Sequence, residues 1–185
     1  MLYLLDANVL ITAHSLYYPV DAVPEFWDWL AHQCREGTVK MPIETYEEVK
    51  DGGHDAARDL LYAWVHEFEI KKILIHSEEV DPTLVQRVTD TGYATDLTDV
   101  EIEQIGHDPF LIAYALASPG DRCVVTTEVS KPSRLRQNRH VPDVCKDLGV
   151  HCIDTFTMLR ALRFSTNWNS RSIRTVHRGD DEAVV

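Results

Sequence analysis

Among its 185 residues the chain has no apolar run of 18 or more, so no segment of the sequence has the length to form a membrane-spanning helix. It has no G-x-G-x-x-G and no Walker-type loop, which counts against a nucleotide cofactor. The four cysteines (Cys34, Cys123, Cys145 and Cys152) form no C-x-x-C pair, and the nine histidines contain no H-E-x-x-H. Zinc binding and dithiol redox chemistry are thereby disfavoured, and the cysteines are expected to be buried thiols in a reducing compartment. The apolar start Leu2 to Leu5 has neither the basic leader nor the small-residue cleavage site of a signal peptide. The expectation is a cytoplasmic protein without a membrane partner. Positive charge is scarce too: 18 Lys and Arg stand against 30 Asp and Glu, a net charge of -12. This argues against a protein that coats nucleic acid by electrostatics alone. It does not exclude a nuclease, because a carboxylate site is acidic by construction and bound cations invert the local field.

What is present suits one globular domain. The hydrophobic fraction is 44%, enough for a sizeable core at this length. Leu2 to Leu5 fits a buried strand that stops at Asp6. Helical patterns follow at Pro24 to Arg35, Glu44 to Lys50, Asp55 to Phe68 and Asp81 to Thr91, with Pro82 at a first helical position. Ile73 to Ile75 is a short strand-like run. Asp108-Pro109 opens a helix to about Ala117, Arg122 to Thr127 is a β-branched strand, Val150 to Ile153 another, and Thr155 to Leu162 a closing helix. Strands alternating with helices predict an α/β fold, a three-layer αβα sandwich around a mainly parallel sheet. No internal repeat is visible. Residues 1–164 are expected to form the domain and residues 165–185 a polar, flexible tail.

Three acids stand where such a sheet places chemistry. Asp6 follows the first strand, Glu128 follows the strand Val124 to Thr127, and Asp108 begins the helix before that strand. Ligands of open α/β sheets bind outside the carboxyl ends of the strands, so Asp6 and Glu128 share a crevice if their strands are neighbours. Oxygen ligands alone suit Mg²⁺ or Mn²⁺. Each acid also has a structural explanation: Asp108 as a helix N-cap before proline, Glu128 as a solvated turn residue, and Asp6-Ala7-Asn8 as turn chemistry. An acid and an amide wedged between two apolar runs are poorly explained as a surface turn.

Leu4-Leu5-Asp6-Ala7-Asn8-Val9-Leu10-Ile11 resembles the opening motif of PIN-domain ribonucleases. Glu47-Glu48-Val49 resembles that family's second acidic position, His107-Asp108-Pro109-Phe110-Leu111 the third, and Val124-Val125-Thr126-Thr127-Glu128 the fourth. Tyr17-Tyr18-Pro19, Phe26-Trp27-Asp28-Trp29-Leu30 and Val141-Pro142-Asp143-Val144-Cys145 are similar to signatures of one PIN-like subgroup, a domain of unknown function (DUF4411) found in toxin–antitoxin settings. The resemblance spans residues 2–162. Two departures stand out: the fourth acid is Glu128 where most PIN domains have aspartate, and Glu47 and Glu48 compete for the second position, with Glu48 favoured because an apolar residue follows it.

The resemblance implies a Mg²⁺- or Mn²⁺-dependent endoribonuclease, the toxin of a type II toxin–antitoxin pair, with a protein antitoxin and a homodimeric state. Asp6, Glu48, Asp108 and Glu128 would be catalytic, with Asp6, Asp108 and Glu128 as metal ligands. Asn8 and Thr126 would orient the acids by hydrogen bonds. Lys131, Arg134, Arg136 and Arg139, with His140 beside them, are candidates to hold RNA phosphates; the competing view is a solvated loop. Trp27, Trp29 and Trp64 are read as core rather than stacking platforms, and Asp99, Glu101 and Glu103 as a solvated helix face. Two alternatives compete. A haloacid-dehalogenase-like phosphatase needs a second aspartate where Asn8 stands. A catalytically inactive PIN fold would serve as a binding or regulatory module.

Overall fold

The computed structural model describes residues 1–51 and 59–169. Its centre is a four-stranded, all-parallel sheet in the order β2-β1-β3-β4, with β1 Leu2–Leu5, β2 Val39–Lys40, β3 Arg122–Thr126 and β4 His151–Asp154. Tyr3 pairs with Val39 on one side of β1, and Leu2 to Leu5 pair with Arg122 to Val125 on the other. A central parallel strand is covered on both faces, so it must be apolar at successive positions rather than at alternate ones. Leu4, Leu5, Val124 and Val125 are accordingly all fully buried. Side chains alternate between faces, and the two cores follow that alternation. Leu5 and Val125 join Phe26, Trp29 and Met158 in one, while Leu4 and Val124 join Val88, Ile112 and Val144 in the other. The expected three-layer αβα sandwich is thus present.

Helices cover both faces: α1 Ala7–Thr12, α2 Pro24–Arg35, α3 Ile43–Asp51, α4 Leu60–His66, α5 Phe68–Leu74, α6 Pro82–Arg87, α7 Asp99–Ile105, α8 Asp108–Leu116, α9 Val141–Leu148 and α10 Thr155–Ala161. α1 continues as a π-helical turn over Ala13–Tyr17, and α6 as another over Val88–Tyr93. α9 stops at Gly149, whose φ of 71° is a left-handed cap that a side chain would strain. The expected helix Asp55 to Phe68 lies partly outside the described residues and is interrupted where it is described. Glu67 takes an extended conformation (ψ 126°), and a new helix begins at Phe68. Ile73 and Leu74 end that helix instead of forming a strand. Only Ile75 is strand-like, bridging Met41 in parallel.

Trp27 and Trp29 are core residues, 2% and 1% exposed, and Trp64 packs edge-on against Trp27 at 4.8 Å. All four cysteines are free, three of them buried. The expected flexible tail lies outside the described residues from residue 170 onward. Just before that point Trp168 stacks on His32 of α2 at 4.9 Å. Among the described residues no helix is long and apolar enough to cross a membrane.

Candidate active site

The chain leaves β1 towards β2 on one side, then crosses to β3 and β4 on the other. Connections therefore diverge outside the carboxyl ends of β1 and β3, the place where open α/β sheets bind ligands. Asp6 and Glu128 occupy those two ends. Asp6 is only 5% exposed. Its backbone N–H donates to Val125 O at 2.9 Å, which locks it to the β3 edge.

The carboxylate of Asp6 is held by two neighbours. Thr126 Oγ1 donates to Asp6 Oδ2 at 2.7 Å, and Asn8 Nδ2 donates to the same oxygen at 2.6 Å. Asn8 Oδ1 in turn accepts from the Thr127 N–H at 2.9 Å, so one amide ties α1 to the end of β3. The Glu128 N–H donates to Thr126 Oγ1 at 3.1 Å. Asn8 and Thr126 thus both hydrogen-bond the Asp6 carboxylate.

Asp108 is the first residue of α8, but it is not that helix's cap. His107 occupies the cap position without a side-chain cap bond, and the Asp108 carboxylate instead accepts from the Tyr93 hydroxyl at 3.3 Å. Glu48 comes from α3, and its Oε1 lies 3.2 Å from His107 Nδ1. Glu47 pairs with Lys50, and of the two glutamates it is Glu48 whose charge acts on Asp6 and Asp108. Glu128 is not a free turn residue. Its Oε2 accepts from the Val141 N–H at the start of α9 at 2.8 Å, and His140 Nδ1 lies 3.7 Å from that oxygen. The longer side chain of glutamate lets one oxygen close a helix start while the group still faces the other acids.

The four acids feel one another. Burial pushes the Asp6 carboxyl up to about 6; the Thr126 and Asn8 bonds oppose this, and the charges of Glu128 and Glu48 add to it. Burial pushes Asp108 up to about 8, reinforced by the charges of Asp6, Glu128 and Glu48 and opposed by the Tyr93 bond. Like charges gathered in a partly dry crevice behave in this way when no cation balances them. An all-carboxylate donor set suits a hard divalent cation, and the raised Asp6 and Asp108 mark where positive charge is wanted. Among the described residues, no three acid, histidine or cysteine side chains converge closely enough to enclose an ion. The site is therefore an open cluster of donors rather than a closed cage.

The basic residues after Glu128 divide. Arg136 is engaged by Asp96 and Glu101, at 2.7 Å each. Arg139 is engaged by Gly92 O and Asp147 at 2.5 Å each. Both fasten the loop to the body. Lys131 and Arg134 are exposed. Glu101, expected on a solvated face, is half-buried and also completes the capping box of α7 with Thr98. The sequence reading missed Tyr93 and His107 as neighbours of the acids, and gave His140 a role in holding phosphate rather than a place beside Glu128. An x-His-Asp-Pro string was visible, but nothing local shows which acid its histidine meets.

A family model described as a domain of unknown function (DUF4411) matches residues 3–166. No curated protein and no solved structure matches the chain.

Proposed function

The chain belongs to that family of unknown function, and from its site we propose that it is a metal-dependent endoribonuclease of PIN-like type, the toxin of a toxin–antitoxin pair. One observation carries the proposal: acids from four separate elements (Asp6, Glu48, Asp108 and Glu128) meet electrostatically at the switch point of a parallel sheet. A structural role does not account for bringing together charges that repel one another.

Asp6 and Asp108 would be the principal ligands of Mg²⁺ or Mn²⁺, and Glu48 and Glu128 would complete the set directly or through water. A bound cation supplies charge neutralisation at the phosphate and acidifies a water. Thr126 and the Asn8 amide fix Oδ2 of Asp6, while Oδ1 accepts a longer bond of 3.4 Å from the Asn8 N–H and keeps lone-pair capacity for the site. Tyr93 orients Asp108. Glu128 is anchored on the start of α9 by the Val141 N–H. RNA as substrate, a protein antitoxin, pairing with a second copy and a cytoplasmic location rest on the resemblance of the sequence motifs to PIN domains.

The test is cleavage of a structured RNA with Mg²⁺ or Mn²⁺ by the wild type and by Asp6→Asn, together with growth and RNA integrity in cells induced to express each. Metal-dependent cleavage and growth arrest by the wild type alone are expected; intact RNA with both proteins refutes the proposal. The openness of the donor set favours one competitor, an inactive PIN-like binding module. Titration calorimetry with Mn²⁺ separates the two, since an inactive fold gives no heat that Asp6→Asn abolishes.

A further inference from the structure

Beside the carboxylates lies a second feature that the chemistry above does not use. A cleft of about 280 Å³ opens between α1 and the start of α10, walled by Tyr17, Tyr18, Phe156, Thr127, Asp154 and Thr155 among others. We propose that this cleft is a nucleobase pocket that receives one unpaired base of the RNA adjoining the cleaved phosphate. The proposal rests on the ribonuclease reading.

Four observations meet here. First, Tyr17 and Phe156 are left 51% and 39% exposed, side by side, with ring centroids 5.1 Å apart at 76°. Large exposed aromatics in contact at a concave surface mark binding sites, and every base offers them a π-face. Second, Tyr17 is carried by the π-helical turn Ala13–Tyr17, where the Tyr18 N–H reaches back to Ala13 O at 2.6 Å. Such insertions are costly in a helix and concentrate at functional positions. Third, Thr155 is 8% exposed, lies in the cleft wall, and its hydroxyl has no hydrogen-bond partner. A buried hydroxyl left unmatched costs stability unless an occupant satisfies it. The oxygen is covered as it stands, so a turn of the side chain toward the cleft would let the ring edge of a base, but not an aliphatic occupant, supply the missing partner.

Fourth, the cleft is joined to the acids by a shared frame. Asn8 holds Asp6 with its amide nitrogen and the Thr127 N–H with its oxygen. Thr126 faces Asp6, and the next residue, Thr127, faces the cleft. A nucleotide whose phosphate meets the acids therefore has a base-sized space next to it. The volume falls at the lower end of ligand pockets, roughly 300–1,000 Å³, which suits a single base better than a stretch of chain.

The experiment uses the full chain carrying Asp6→Asn to prevent cleavage. A fluorescein-labelled RNA decamer of mixed sequence is compared with the same backbone carrying abasic sites. Replacing both rings (Tyr17→Leu with Phe156→Leu) is expected to weaken decamer binding by about 5- to 150-fold, the range for losing one stacked base. Affinity for the abasic strand and the salt slope should stay as they were, since phosphate contacts are untouched. Thr155→Val, which keeps shape and removes the hydroxyl, should change the ranking of the four homopolymers, and it decides the matter if the double variant fails to fold. Unchanged decamer affinity and unchanged ranking, in a protein that still cleaves RNA with Asp6 intact, overturn the pocket and leave the ribonuclease reading standing. A wild type that neither binds nor cleaves RNA overturns both.

Discussion

Asp108 makes the electrostatics of the site measurable without a substrate. Its carboxyl titrates near 8 in the folded protein against an ordinary 3.8. Between those values the folded state binds a proton that the unfolded chain has released, so stability falls as pH rises from about 4 to 8 and levels off above. The interval from 3.8 to neutrality, at about 1.4 kcal/mol per pH unit, sets an upper bound of roughly 4 kcal/mol lost at pH 7. The side chain is half-buried, and water and counter-ions at the crevice mouth reduce the effect to about 1–2 kcal/mol. Asp108→Asn removes the titration and keeps an acceptor for Tyr93. Its melting temperature at pH 7 should therefore exceed that of the wild type by about 2–8 °C, at about 2–4 °C per kcal/mol for a chain of this size. The gap should close as pH falls towards 4. Mn²⁺ at a hundred times its dissociation constant should raise the wild type by about 2.7 kcal/mol and the variant by much less. Differential scanning calorimetry from pH 4 to 9 in chelator, then with Mn²⁺, makes the measurement. Parallel pH profiles for wild type and variant would refute the argument that Asp108 sits among repelling charges.

Three further outcomes are expected. Asp6→Asn should stay folded and lose metal-dependent cleavage by at least about 100-fold, because it removes a ligand charge while leaving an acceptor for Thr126; circular dichroism melts beside a gel assay check both halves. Asn8→Ala should cost about 1–3 kcal/mol in urea melts, because it orphans the Thr127 N–H, and should weaken Mn²⁺ binding by about 10- to 100-fold. Neutralising Lys131 and Arg134 together should lower the slope of log affinity for RNA against log salt by about two, whereas Arg136→Ala should lower the melting temperature and leave that slope alone.

Much of the frame was legible because local chemistry and global fold agree there. The bounds of β1 and α2 follow from an apolar run that stops at Asp6 and from a proline start at Pro24 followed by Gly37. β2 was not legible: two residues cannot display a period, and Val39 and Lys40 are strand only because Tyr3 and Leu4 lie beside them. The break between α4 and α5 was equally hidden. Glu67 has good helix propensity, and only tertiary packing of Phe68–Leu74 turns the chain there. The arginines after Glu128 read as a phosphate grip because most of their partners are far away in sequence, although Asp147, which Arg139 also meets, is only eight residues on. Arg136 meets Asp96 and Glu101, and Arg139 meets Gly92, across 35 to 47 residues. A run of like charges states only that something neutralises it, not whether that is a phosphate or the protein itself.

The acids were legible for the opposite reason: they contradict their surroundings. Asp6 lies at the end of a strand whose last two residues are fully buried, on a sheet covered from both sides. A turn residue there would be solvated, yet Asp6 is dry, and the hydrogen bonds from Thr126 and Asn8 fail to return its carboxyl to the ordinary range. Structural buried carboxylates, such as Asp143, differ. Burial raises that group too, but Ser130 and the Lys131 N–H overcome it and hold the pKa below normal. Both acids are buried and both are hydrogen-bonded; what separates them is that Asp6 faces other acids and Asp143 faces donors and Arg139. The fold thus satisfies one buried carboxylate and leaves another, in the crevice of its sheet, short of positive charge, and that shortfall is what the proposed cation would make good.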